Sequence, residues 1–173
     1  MKIQCLTCVY KRKLITEAFY IAFEQAVQHA AKAGYELGLT VVASNDADAK
    51  LAKQYGHNPV ITPNRPLGRK HNAGLAYMLA KLDFDYMMQL GSDDMLAVSF
   101  WQSEALRLNI EQRIPMFGMN RILFFDLNTW DAKRVQVLNP FGAGRFIRRD
   151  LLDAAHCKLI EWKGGYSGKG WSS

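Results

Sequence analysis

An α/β fold, built on a mostly parallel central sheet flanked by helices with a small antiparallel portion in the C-terminal half, is what this sequence predicts. Three observations carry the prediction. Short apolar runs at Ile3 to Val9, Thr40 to Ala43, Asn58 to Thr62 and Tyr86 to Leu90 alternate with helical patterns, as parallel strands joined by helical crossovers require. Glycines stand where the first two helical patterns stop, at Gly34 and Gly56. Past Asn109 the pattern changes to short apolar stretches around turn residues, which reads as an antiparallel hairpin or meander.

Taken in order, Ile3 to Val9 is a buried strand followed by the polar loop Tyr10 to Lys13. Ile15, Phe19, Phe23, Ala26 and Ala30 then recur at three- and four-residue spacing, the signature of an amphipathic helix against a sheet. Thr40 to Ala43 gives a second strand, which breaks at Ser44-Asn45-Asp46 into a short helix from about Ala47 to Tyr55. A third strand is expected at Asn58 to Thr62, then the loop Pro63 to Gly68, and from Arg69 a helix carried by Leu75, Met78, Leu79 and Leu82. Tyr86 to Leu90 is the fourth strand. Ser99 with Gln102 reads as a capping box for a helix to about Asn109. Pro115 to Phe125 and Arg134 to Leu138 flank the turn-like Asp126-Leu127-Asn128-Thr129. Pro140 to Gly144 is a loop, Arg149 to Ala155 a short helix, and the tail from Gly164 has glycine too often to pack.

The 173 residues suit one domain, and 49% of them are hydrophobic, enough for a substantial core. A formal net charge of +6 and a pI near 9.3 point to an anionic partner or substrate. Ile3 to Val9, closed by Lys11-Arg12-Lys13, is too brief for a secretory segment or a membrane span, so the expected location is cytoplasmic. Cys5, Cys8 and Cys157 cannot all pair. Cys5 and Cys8 lie three apart on a strand, facing opposite ways, and read as buried or half-buried thiols rather than as a redox or zinc motif.

In open parallel sheets, ligands bind at the carboxyl ends of the strands. That rule lines up Val9 to Arg12, Ser44 to Asp46, Pro66 to Asn72 and Gly91 to Asp94 along one rim. The last of these, Gly91-Ser92-Asp93-Asp94, supports two readings. Adjacent carboxylates at a strand end repel unless a cation sits between them, and a divalent metal carrying a phosphorylated ligand answers that. The alternative is a polar turn and helix cap.

With these segments together, the chain resembles a glycosyltransferase of the Rossmann-like GT-A fold, nearest the inverting family 2. The resemblance spans Ile3 to about Leu152. It rests on Thr7 to Lys13, Ser44-Asn45-Asp46, the stretch Pro66 to Leu75 with its Gly-x-x-x-Asn-x-Gly-Leu, the Gly-Ser-Asp-Asp turn, and Gly142 to Arg149. It implies a nucleotide-binding half over 1–94, an acceptor-side half over 95–163 and a flexible tail over 164–173. It also implies Mn2+ or Mg2+ bound by Asp94 with Asp93, and a nucleoside-diphosphate sugar, UDP-linked by family frequency. The donor is expected to meet Thr7, Val9, Lys11, Arg12, Asn45, Asp46, Arg69, Asn72, Ser92 and Asp93. One departure is Gly91, where many members carry a further aspartate.

An inverting transfer also needs a carboxylate as general base. Beyond the Arg-rich segment the candidates are Glu161 and Asp150. The Gly-Lys-Gly-Trp-Ser-Ser ending differs from the acidic continuation of the family, which raises the expectation of a truncated, divergent or inactive chain. His71 reads as a packed or solvated side chain, with a phosphate contact as its functional alternative. Arg148 and Arg149, ahead of a helix, read as surface charge, with an acceptor or diphosphate contact as the alternative for Arg145 or Arg148. Trp101, Trp130 and Trp162 are expected in the core, with stacking on a sugar as their functional alternative. A nucleotidyltransferase on a similar sheet would carry a glycine-rich loop after the first strand, where this chain has Tyr-Lys-Arg-Lys. A degenerate sugar-nucleotide-binding module is the non-catalytic alternative. Nucleic-acid binding rests on charge alone and is not expected. Donor sugar, acceptor and oligomeric state are not legible.

Overall fold

A computed structural model of the chain describes residues 1–126, 128–136 and 143–155. Strand β1 (Lys2–Cys8) leads into α1 (Lys13–Lys32), which lays Thr16, Phe19, Tyr20, Phe23, Ala26 and Ala30 against the sheet. Gly34, with φ at +84°, ends that helix as its position predicts. β2 (Glu36–Ala43), α2 (Asp46–Gln54), β3 (Val60–Ile61), α3 (Leu67–Lys81) and β4 (Tyr86–Gln89) follow, completing the expected alternation. Then come α4 (Val98–Trp101), α5 (Glu104–Glu111), β5 (Met116–Gly118), β6 (Arg121–Phe125), β7 (Ala132–Gln136), β8 (Arg145–Arg148) and α6 (Arg149–Ala154).

Six strands form one sheet in the order β3-β2-β1-β4-β8-β5, with β1 to β4 parallel and β8 antiparallel to both β4 and β5. β6 and β7 form a separate antiparallel hairpin, registered Arg121 to Gln136 and Phe125 to Ala132. The period of two along β4 divides the core. Tyr86 and Met88 pack with Phe146 and the α1 aromatics, while Met87 packs on the other face with Ile147, Leu75, Met78 and Leu152. Cys5 and Cys8 follow the same parity. Both thiols are free, and burial pushes Cys5 well above the ordinary range and Cys8 up to about 12.

Two expectations are corrected, and one strand is added. β2 begins at Glu36 rather than Thr40, because Glu36 to Leu39 pair with Lys2 to Cys5 although Gly38 interrupts their apolar alternation. The helix read from Ser99 is two short helices, and the capping side chain is Ser103, whose hydroxyl accepts from the Leu106 amide at 3.5 Å. The chain breaks there because Trp101, buried at 2% exposure, must turn inward beside Tyr35. β8 was not expected as a strand. Four residues with arginine at both ends carry no readable alternation, and only hydrogen bonding to strands on both sides makes them one.

α3 lies close against β1 and β2. A Cβ on Gly74 would come within 2.5 Å of both Leu6 Cδ1 and Val42 Cγ2. Gly74→Ala is therefore expected to cost about 1–3 kcal/mol through overpacking, read as a lower urea midpoint at unchanged slope. Among the described residues no helix is long and apolar enough to cross a membrane. Cys157, Glu161, Trp162, the loop through Gly142 and the tail from Gly164 lie outside the described residues.

Candidate functional site

The carboxyl ends of β1 to β4 stand side by side, and their loops are tied to one another by side chains. After β1, Lys11 turns back with φ at +52°, and its amide donates to both Asp48 oxygens, at 3.0 and 3.3 Å. Asp48 is 5% exposed on α2 and also accepts from the Asn45 side chain. Asn45 in turn caps α2 by accepting from the Asp48 amide at 2.9 Å. The first two loops are thus locked together through one buried carboxylate.

α3 adds a buried cation. Lys70 is 1% exposed; its Nζ donates to the Val9 carbonyl at 2.6 Å and to Asn64 Oδ1 at 3.2 Å, and sits 5.8 Å from the Tyr10 ring centre. Burial lowers its pKa, with Cys8 and Asp48 opposing that shift. Neither Lys70 nor Asp48 was singled out from sequence. A signal for Lys70 was available, because Lys70, Gly74 and Met78 share the four-residue spacing that makes one inward stripe.

The acidic turn after β4 is anchored by the Leu90 amide donating to Leu6 O at 3.0 Å. The Asp94 amide donates to Gly91 O at 3.3 Å, and Asp94 Oδ2 accepts from the Gly91 amide. The turn reading is therefore correct for one carboxylate oxygen, but no helix starts here. The two carboxylates converge. A Cβ built on Gly91 would lie 2.9 Å from Asp93 Oδ1 and 2.9 Å from Asp94 Oδ2. Glycine at 91 leaves to the paired carboxylates the space that a side chain would fill, so the departure noted in the sequence is part of the geometry.

Burial raises the Asp94 pKa, Asp93 adds to the rise and the Gly91 amide opposes it. Asp93 meets Arg12, whose Nη2 donates to Asp93 Oδ2 at 2.8 Å, joining the β1 and β4 loops across the middle of the rim. Two carboxylates offer hard oxygen ligands of the kind Mg2+ and Mn2+ take. No group of three or more His, Cys, Asp or Glu side chains forms among the described residues.

Not every expected residue reaches this site. Thr7 and Val9 are fully buried, and both backbone groups of Val9 are taken, its amide by Val42 O and its carbonyl by Lys70. They support the rim from beneath rather than face a ligand. Ser92 is buried at 6%, and Asn45 is occupied as a cap. Lys11, Arg12, Asp46, Arg69 and Asp93 are exposed along the rim, and Asn72 is half-buried on α3. Asp150 is not brought to the site. β8 runs antiparallel to β4 and pairs Arg148 with Tyr86, so Asp150 stands at the far end of the strand from Asp94, held by Arg148 Nε and Nη2, each at 2.7 Å. The same register places Arg145 opposite Gln89, at the rim end. Trp101 is core as expected, whereas Trp130 is 74% exposed on the hairpin.

His71 is packed. Its Nδ1 lies 3.1 Å from Leu67 O and its Nε2 lies 3.4 Å from the Gln89 amide nitrogen, which assigns the proton to Nδ1. Burial lowers its pKa, and also that of His57, which sits against Tyr20 and Phe23. Below the ordinary value of 6.5 the unfolded chain therefore binds more protons than the folded one, and stability falls as pH drops through 6.5; above it the effect is absent. A lower urea midpoint at about pH 5.5 than at about pH 7.5 is expected, with the difference reduced in His57→Gln and His71→Gln.

No protein-family model matches the chain, and no curated protein matches it. Solved structures do. Residues 1–349 of S. aureus TarS align over 90% of this chain and 49% of theirs, with a TM-score of 0.54 and 14% identity. TarS in complex with UDP-GlcNAc gives 0.52 at 15% identity, covering 90% and 48%. CMP:2-keto-3-deoxy-manno-octonic acid synthetase complexed with CTP gives 0.55 at 10% identity, covering 93% and 79%. The chain spans about half the length of the TarS structures. These likenesses establish the fold, the GT-A, Rossmann-like α/β arrangement.

Proposed function

We propose that the protein is a glycosyltransferase that moves a sugar from a nucleoside-diphosphate sugar, UDP-linked, to an acceptor hydroxyl with inversion, assisted by Mn2+ or Mg2+. The observation that carries this reading is the convergence of the Asp93 and Asp94 carboxylates over Gly91, beside Arg12, at the end of a central strand. A bound divalent cation supplies Lewis-acid stabilisation of the diphosphate as it leaves. Asp94 and Asp93 would hold that cation through their carboxylate oxygens. Arg12 exchanges Asp93 for the diphosphate, where its fork pairs with phosphate oxygens. Lys11, Arg69 and Arg145 add positive charge where the leaving group develops negative charge. Asp48 and Lys70 position the loop that carries Lys11 and Arg12. Of the two candidates for the base, Asp150 stands at the wrong end of the sheet, and Glu161 is retained.

TarS, a GT-A glycosyltransferase, supports sugar transfer, and the CTP-bound synthetase, a nucleotidyltransferase, shares the fold. Tyr10 to Lys13 contains no glycine, and the acidic turn adjoins a cavity with room for an acceptor, which together favour sugar transfer. Calorimetric titration of UDP is expected to give at least about tenfold tighter binding with Mn2+ present, from the added metal bridge. Equal affinity with and without Mn2+ sinks the metal-assisted reading. Release of UDP from a panel of UDP-sugars, set against GDP- and CDP-sugars, then separates an active transferase from a module that only binds.

A further inference from the structure

Beyond the donor rim, a cavity of about 730 Å³ opens from Asp94 toward the β6–β7 hairpin, a size suited to a small-molecule ligand. Its floor is aromatic. Phe117 stacks on Phe146 with ring centres 4.7 Å apart and planes 7° from parallel, and Phe100 lies 6.0 Å from Phe146. Leu96, Met119 and Ile122 add apolar wall.

The hairpin side is different. Arg121 and Arg134 both line the cavity, and the register sets Arg134 opposite Leu123, two residues from Arg121 on the same face. Neither guanidinium has an ion-pair or hydrogen-bond partner among the described residues. A cavity with a carboxylate, apolar walls and two guanidinium groups uncommitted among the described residues selects its occupant by shape and charge.

We propose that this cavity takes the acceptor and that the acceptor is an anionic amphiphile. Its apolar body lies on the Phe100, Phe117 and Phe146 floor, its phosphate- or sulfate-like group meets Arg121 and Arg134, and its hydroxyl is turned toward Asp94. The assignment of this ligand as acceptor rests on the sugar-transfer reading; the site itself does not. An exposed arginine pair that bonds an anion beside apolar contacts adds selectivity by charge sign, which neither feature gives alone.

The test uses two probes with the same chain, octyl phosphate and octyltrimethylammonium, titrated below micelle formation into the whole protein. Octyl phosphate is expected to bind at least about tenfold more tightly, the equivalent of one or two charge-assisted hydrogen bonds. Arg121→Gln with Arg134→Gln, both at exposed hairpin positions, removes that preference. Ala105→Trp, on the exposed face of α5 and lining the cavity, weakens both probes. Equal binding of the two probes, or binding untouched by Ala105→Trp, overturns the proposal. Retention on phosphatidylcholine vesicles only when they contain phosphatidic acid assigns the anion to a membrane lipid; octyl phosphate binding without retention assigns it to a free molecule. UDP titrated into the same wild-type protein tests the donor reading separately, so failure of one leaves the other standing.

Discussion

Asp94→Ala is expected to abolish the gain in UDP affinity that Mn2+ gives and to lower the transfer rate by about a thousandfold, close to 4 kcal/mol of barrier, while UDP binding without metal is nearly unchanged. The asymmetry follows from the turn. Asp94 is the carboxylate that burial and its neighbour Asp93 keep from ionising freely, so its charge is the one a cation stabilises most. Its raised pKa has a second consequence. A metal binds the ionised carboxylate, so Mn2+ affinity should begin to fall, as pH is lowered, at a higher pH than an ordinary aspartate with a value of 3.8 would dictate. Asp94→Asn separates the causes: it keeps the side-chain oxygen that accepts from Gly91 but removes the charge. Loss of metal response in both variants with unchanged urea midpoints assigns the effect to ligation; a metal response surviving in Asp94→Asn overturns it.

Arg12→Gln should shift two affinities in opposite directions. Arg12 and Asp93 form an ion pair with each side chain about half exposed, at 46% and 47%, so the pair itself contributes little stability. Its importance is that it neutralises Asp93 before any ligand arrives. With glutamine at 12, Mn2+ alone should bind several-fold more tightly, because two unpaired carboxylates then face one point. UDP with Mn2+ should bind about ten- to a hundredfold more weakly, from loss of a charge-assisted contact to the diphosphate. A purely structural role for Arg12 would weaken both together. Calorimetry with Mn2+ alone and with UDP plus Mn2+ distinguishes the outcomes, and Arg12→Lys should restore part of the diphosphate contact without the fork geometry.

How much of this was legible varies with how local the cause is. α1, α2 and α3 were readable because each buries one face at helical spacing, and β1 and β4 because burial on both faces makes each a short continuous apolar run. The acidic turn was readable because two carboxylates follow a buried strand through a short Gly-Ser step. β8 and the first half of β2 were not. Their strand character comes from hydrogen bonds to chains distant in sequence, and Gly38 or the terminal arginines hide the apolar alternation. The split between α4 and α5 depends on Trp101 entering the core, which no local pattern announces.

The candidate site divides along the same line. The alternating order of strands and helices, and therefore which loops end up on one rim, follows from local patterns in the chain. The local sequence also supplies the acidic pair with the glycine that leaves it room. Which side chains on those loops are available depends on how the elements pack. Thr7 and Val9 are buried under the rim because β1 is central in the sheet, and Asp150 is carried to the opposite end because β8 runs against β4. Lys70 becomes a buried tie and Asp48 a buried acceptor because the β1 loop folds over both. The pairing of Arg12 with Asp93 spans 81 residues. Such contacts depend on the packing of whole elements, and a pattern that repeats every two or every 3.6 residues holds no information about partners that far apart.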